Sequence, residues 1–503
     1  MIQIKLLNND ARLACGENIL AAKTSSYVLI GLVILIIVAG VVGYYAGSAA
    51  APAITKTVTA PAVGATVTVT RPVTVTAPVT ITTQIPYKPP EKVKAAFIYV
   101  GPVGDFGWSY MHDLGRRVVA ELYKDWLETT YVESVPEPKV SETLESLIAK
   151  GYNVLFTTSY GFMEGTLETA KKYPNLIFFH CSGYLRYKNM GTYFADFYQV
   201  YYLNGLMAGA LTKTGKVGYV AAFLIPEVVR HLNAFFLGAK EVAEQRGIKL
   251  EAYVIEIGAW FNPTEARRAA ETLVRDYNVD VIAYTEDSTA IIEYAQEMYN
   301  KGTPIYVFSH YSPGWEYGKD VVVSGQLVRW EVIYADILGK IKAGVYTPTN
   351  LENVDYWYLL NTGAVDMAAH VFPNGTVMHI NPKFINVLKE IQVTDKVTGQ
   401  KLSVYDLIWL RYNQMAYAPM LMSFQQLATS HIYENIASIN IGGKEGKYYI
   451  ATAFEPFTGP LSGYNVDDPT KKVSIPAGVR LGHDELWSLD WVLDFVKIVG
   501  RAS

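Results

Sequence analysis

From Val93 onward, short uninterrupted apolar runs alternate with amphipathic stretches, and this alternation restricts the possible folds more than any other feature. The runs are VKAAFIYVG (93–101), YNVLFTTS (152–159), NLIFFHCS (175–182), KVGYVAAF (216–223), EAYVIEIG (251–258), VDVIAYTED (279–287) and PIYVFSH (304–310). A run that is apolar at successive positions suits a strand covered on both faces, which is the condition of a parallel sheet. Between the runs, stretches such as HDLGRRVVAELYKDWLE and NPTEARRAAETLVRDYN repeat apolar residues at helical spacing. Alternation sustained over roughly 240 residues predicts an α/β body with one parallel sheet or two. Polar side chains fall just beyond several strands: Asp105, Ser159, His180, Glu286, Asp287 and His310. In open α/β sheets that carboxyl edge is where ligands bind.

The first ninety residues bear on the compartment. Tyr27 to Tyr45 is a nineteen-residue stretch without a charge, long enough to span a bilayer core at about 1.5 Å per residue. Lys5, Arg12 and Lys23 precede it and the next charge is Lys56, so the positive-inside rule places everything after Tyr45 outside the cell. A cleaved signal peptide, or pilin-like processing near Lys23, is the alternative for this segment. Between Ala51 and Pro86 there are eleven threonines, seven valines and two charges, with Pro52, Pro61, Pro72 and Pro78 spaced along it. Recurrent proline favours an extended spacer over a strand. The expected organisation is a leader and transmembrane anchor (1–47), a stalk (48–92) and then the globular part.

Charge and motif content narrow the chemistry. Residues 1–92 carry a net +4 and the remainder −8, and an acidic globular part lacks the basic face that nucleic acid requires. Cys15 and Cys181 are the only cysteines, too few for a disulfide framework or a zinc site of their own. No G-x-G-x-x-G opens a helix after a strand, and no Walker-type phosphate loop, G-x-S-x-G elbow or H-E-x-x-H pair occurs. No catalytic constellation, cofactor or metal site is expected, so an enzyme reading has nothing to stand on.

Gly101-Pro-Val-Gly-Asp-Phe-Gly-Trp-Ser-Tyr110 follows the first strand and resembles the opening signature of the basic membrane protein family, the purine-nucleoside-receptor-like substrate-binding proteins of ABC transporters. The resemblance continues through YFADFYQVYYLNGLMAG (193–209), IPEVVRHLNAFFLGAK (225–240), GAWFNPTEARRAAETL (258–273), SGQLVRWEVIYADIL (324–338) and the stretch from Phe457 to Gly500. It implies the type I periplasmic-binding-protein fold, two doubly wound lobes that close about a hinge on a small ligand. Lobe one is expected at 93–194 with a return at 321–370, lobe two at 195–320, and a C-terminal family segment at 451–503. The implied partners are a nucleoside-like solute and an ABC permease.

The resemblance also implies a site. Trp108 holds the position of the family's base-stacking aromatic, within the motif residues Asp105, Phe106, Trp108 and Ser109, and its counterpart would be Trp260 or Phe261 from lobe two. Carboxylates accept hydrogen bonds from ribose hydroxyls and ring N–H groups, which brings in Asp105, Glu286 and Asp287. Ser159, His180, Asn233, His310 and Arg329 complete the expected ligand-binding set. Where many relatives carry Phe-Asn-Gln, this chain has Trp108-Ser109-Tyr110, so a riboflavin-like or other planar heterocycle stays open as ligand.

Residues 366–450 lie outside the resemblance. Their apolar spacing reads as helical, in FINVLKEIQV and in the stretch from Val404 to Ile439, so a helical insertion packed on one lobe is expected. Replacement by a short linker should then leave ligand binding intact. The insertion could instead contact the permease or neighbouring copies, and an assembly-forming surface protein reusing the fold is the alternative function. Asn374-Gly-Thr376 is a candidate glycosylation site.

Overall fold

The computed structural model describes residues 87–417, 421–423, 436–441, 444–450 and 454–501. The expected anchor and nearly all of the stalk lie outside these residues. Among the described residues no helix is long and apolar enough to cross a membrane.

Five strands, β1 (Val93–Ile98), β2 (Leu127–Val132), β3 (Val154–Thr157), β4 (Ile177–Cys181) and β5 (Met190–Ala195), form the first sheet in the order β2-β1-β3-β4-β5, all parallel. The second sheet repeats the pattern with β6 (Lys216–Ala221), β7 (Glu251–Glu256), β8 (Val281–Thr285), β9 (Tyr306–Ser309) and β10 (Val322–Val328), ordered β7-β6-β8-β9-β10. The continuous apolar runs are buried in both sheets. Every residue of β3, β4, β5, β8 and β10 is buried, as strands covered on both faces require.

The lobe boundary differs from the expected one. β10 pairs with β9 and completes lobe two, so that lobe extends past residue 320. The chain then crosses through the helix Trp330–Lys342, which packs on the lobe-one helix Trp108–Leu122. β11 (Asp355–Tyr358) joins β5 in parallel, and β12 (Val365–Met367) returns to pair antiparallel with β10. The segment 321–370 is therefore shared between the lobes. At the far edge of lobe two, Val496–Gly500 lies parallel to β7.

Local sequence explains the helices that hold these sheets. Pro263–Tyr277 starts at Asn262, whose side chain accepts the Glu265 amide at 3.2 Å, with Pro263 in its first turn. It buries Ala266, Ala269, Ala270 and Leu273 and stops at Asn278, in the left-handed region at φ 56°. By contrast, all fourteen residues of Tyr198–Leu211 are buried, as a helix apolar all round must be. It lies against Pro226–Gln245 so closely that a Cβ on Gly205 would strike the Phe235 carbonyl, and one on Gly238 the Tyr202 carbonyl.

The insertion is mixed rather than helical. Helices Pro382–Glu390 and Val404–Tyr417 are present, but so are hairpins pairing 370–371 with 377–378 and 392–394 with 401–403. Strands 421–423, 444–450 and 436–441 form an antiparallel sheet. Gly442-Gly443, between two of those strands in sequence, is the turn signal that the helical spacing overrode. Phe384, Leu388, Val393, Leu402 and Leu407 belong to the same buried cluster as Tyr201 and Phe235 of lobe two.

Candidate functional site

The carboxyl ends of the two sheets face each other across a slot. Lobe one contributes Val100, Trp108, Ser159, Tyr160 and Ser182, and lobe two contributes Glu227, Trp260 and Tyr311. The slot is narrow in this arrangement, with room for about one water.

Trp108 opens the helix Trp108–Leu122 and is 6% exposed. Its ring meets His112, Tyr311 and Trp330 edge-on, with centroids 4.5, 5.1 and 5.4 Å away. Its indole N–H donates to the Thr158 carbonyl and its backbone N–H to Asp287 Oδ1. Trp260 is half-buried beside Phe223, and its carbonyl accepts the Asp287 amide at 2.8 Å. Asp287 thus ties the loops that carry both indoles.

Three of the expected carboxylates cluster at this junction. Asp105 Oδ1 accepts the Gly107 and Tyr110 amides at 2.9 and 3.0 Å, and Oδ2 accepts the Ser109 amide at 3.0 Å. It works first as a cap on the helix. Burial raises its pKa, against the lowering effect of those amides. Glu286 accepts the Ser288 amide and hydroxyl at 2.9 and 3.0 Å. Burial, with the Asp105 charge adding to it, pushes Glu286 up to about 8. Burial and then Asp105 push Asp287 well above the usual carboxylate range.

The remaining expected residues divide. Ser159 lines the slot, and its hydroxyl donates to Glu137 at 2.7 Å. Ser109 is turned into the motif, where its Oγ accepts the Gly101 amide at 3.1 Å. Phe106 lies on the far side of its loop, 4.6 Å from the Tyr317 ring, with its carbonyl accepting from Ser312. His180 pairs with Thr157 at 3.0 Å, and burial lowers it to about 3. His310 sits 2.7 Å from the Tyr201 hydroxyl, and burial lowers its pKa well below the ordinary value. Neither histidine lines the slot. Asn233 grips the C-terminal segment, donating to the Trp491 carbonyl at 2.7 Å and accepting the Leu493 amide at 3.0 Å. Arg329 reaches Asp366 at 3.4 Å beside the crossover, and Phe261 is 40% exposed.

Glu227, Ser182, Tyr160 and Tyr311 were not anticipated. Glu227 spans the lobes: Oε2 accepts the Ser182 hydroxyl at 2.6 Å and Oε1 the Tyr311 hydroxyl at 3.1 Å. Its sequence signal was present, a carboxylate in the first turn of a helix that follows β6. Ser182 and Tyr311 hold left-handed backbone, φ 72° and 58°, which places them by strain that no sequence pattern announces. Among the described residues no group of three or more His, Cys, Asp or Glu side chains is placed to hold a metal ion.

Residues 92–397 match the family model described as Bmp, ABC transporter substrate-binding protein PnrA-like. The chain belongs to the Bmp family. A purine-binding protein of Brucella abortus is 36% identical over 279 residues, 55% of this chain and 75% of that protein. A putative ABC transporter glucose-binding protein of Haloferax volcanii is 35% identical over 274 residues, 54% of this chain and 66% of that one. An ABC transporter solute-binding protein from Aeropyrum pernix superposes with a TM-score of 0.53 at 16% identity, covering 70% of this chain and 94% of its own. This Bmp protein is thus a solute-binding component of ABC transport with the periplasmic-binding-protein fold, and its family is one of binding proteins rather than enzymes.

Proposed function

We propose that the interlobe slot captures a purine nucleoside or related planar heterocycle and that the closed, loaded protein delivers it to an ABC permease. The observation that carries this reading is the pair of indoles, Trp108 from lobe one and Trp260 from lobe two, lining one slot. A flat, polarisable ring gains from two aromatic faces and is sequence-tolerant in its stacking. Glu227 and Asp287 stand close by as acceptors for ring N–H groups or hydroxyls. The Brucella relative's name fits this reading. The Haloferax relative's name points to a hexose, which lacks the flat π-face that two indoles would grip. The apolar run Tyr27–Tyr45 would hold the protein at the membrane, with the stalk setting its distance from the permease.

Titration of the purified protein with adenosine, guanosine, inosine, riboflavin and glucose, read by tryptophan fluorescence and calorimetry, tests the proposal. A nucleoside should bind and quench the slot indoles. Binding of glucose alone would overturn the heterocycle reading while leaving the family membership intact.

A further inference from the structure

The slot is matched to more than planarity. Four rings line it: Trp108, Tyr160, Trp260 and Tyr311. Among the described residues lining it, Glu227 alone carries a charge, and it is 7% exposed. Asp287 stands behind the Trp108 amide, and Asp105 and Glu286 are buried close to it. No lysine, arginine or histidine is among the lining residues. Arg230, on the same helix face as Glu227, borders an adjoining cavity, but its Nε is 2.7 Å from Asp196 and its Nη1 is 2.6 Å from the Leu486 carbonyl. The nearby His180 and His310 are buried with lowered pKa values and are neutral. Glu227 therefore has no cationic side chain set against it among the lining residues.

We propose that the slot selects planar ligands carrying a positive charge, a protonated or N-alkylated heterocycle, held between the indoles and drawn by the Glu227 carboxylate. This rests on the slot being the site for a planar ring and adds the charge that ring bears. A cation over a tryptophan face gains electrostatically from the ring quadrupole, and gains more when water is excluded. Glu227 keeps acceptor capacity beyond the Ser182 and Tyr311 hydroxyls, since an ionised carboxylate has about four lone-pair sites. A neutral ring takes the stacking alone. An anionic ligand, such as a phosphorylated nucleoside, would meet Glu227 with no base to offset it.

Two matched pairs test this on the purified full chain by calorimetry near neutral pH. In each pair the rings are alike and the charge differs: 1-methyladenosine against adenosine, and 1-methylnicotinamide against nicotinamide. The cationic member should bind about tenfold or more tighter in whichever pair binds, and Glu227→Gln should shrink that ratio toward one. Equal or tighter binding of neutral adenosine would overturn the charge selection and leave the nucleoside reading standing. Binding of 1-methylnicotinamide with neither nucleoside would overturn the nucleoside reading and support the charge selection. Failure of all four to bind would overturn the charge selection, and guanosine and inosine would then decide the nucleoside reading. Should Glu227→Gln fail to fold, the ratios in the parent protein still decide.

Discussion

The backbone amide of Trp108, in lobe one, donates to Asp287 Oδ1 of lobe two at 3.0 Å. One carboxylate thereby fastens the opening motif to the loop that carries Trp260, whose carbonyl accepts the Asp287 amide. Lobe closure and alignment of the two aromatic walls are the same event in this geometry. Ser182 on Glu227 and Ser312 on the Phe106 carbonyl add two further bonds across the junction.

Gly107→Ala should hold the lobes apart. A Cβ there would lie 2.8 Å from the Asp287 Cα, closer than real Cβ contacts allow, and the clash exists only between lobes. The variant should fold normally, bind ligand at least about tenfold more weakly and show a larger radius of gyration in solution scattering with ligand present. Parent-like affinity with parent-like compaction would show that closure tolerates the methyl.

Trp260→Ala should weaken ligand binding about tenfold to a hundredfold, the worth of one stacking face, with little change in melting temperature because the ring is only half-buried. Trp108→Ala removes a slot wall and also a core residue packed on His112, Tyr311 and Trp330. It should lose stability by about 3–5 kcal/mol as well as affinity, read by urea denaturation. Unaltered binding in Trp260→Ala would remove the indole pair as the ligand slot.

Stability should fall as pH rises from about 4.5 to about 8. Burial holds Glu286 at about 8 and Glu455 at about 7, against an ordinary glutamate value of 4.5. Across that window the folded chain keeps protons that the unfolded chain has released, so each group lowers unfolding free energy by up to about 1.4 kcal/mol per pH unit. Asp196 acts oppositely. Burial alone would raise it, but Arg230, His231 and Trp357 outweigh burial and hold it at about 2, so its contribution is lost as pH falls from about 4 toward 2. Thermal melts should peak in mildly acidic buffer, and Glu286→Gln should flatten the slope above it. A melting temperature that climbs steadily toward pH 8 would contradict this.

The insertion should not be removable. Arg411, fully buried on the helix Val404–Tyr417, pairs with Asp395, lies 3.5 Å from Glu241 of lobe two and covers the Phe454 ring at 4.1 Å. Arg411→Met leaves buried Asp395 without its cationic partner, while Glu241 keeps Lys396 at 2.6 Å, and should cost about 3–5 kcal/mol, measured by urea denaturation. Replacing 366–450 by a linker should unfold lobe two rather than leave binding intact, because Phe384, Leu388 and Leu407 complete its core. A soluble, ligand-binding deletion variant would show the core closing without them.

Much of this protein is determined by its sequence alone. Continuous apolar runs and helical spacing are local properties set by burial on two faces, so the doubly wound sheets follow from them, while the family is legible in the motif Gly101–Tyr110 and the stretches that resemble it. Tertiary structure decided what local pattern does not contain. Asp105 turned inward to cap its own helix, Asn233 turned to the C-terminal segment, and β10 stayed with lobe two because an open edge beside β9 could bury both its faces. Glu227, Ser182 and Tyr311 came together from a helix start and two loops distant in sequence, the two loop residues at left-handed backbone positions. Such contacts depend on how two lobes meet, and that meeting is fixed by packing between residues far apart in the chain rather than by the spacing of any one stretch.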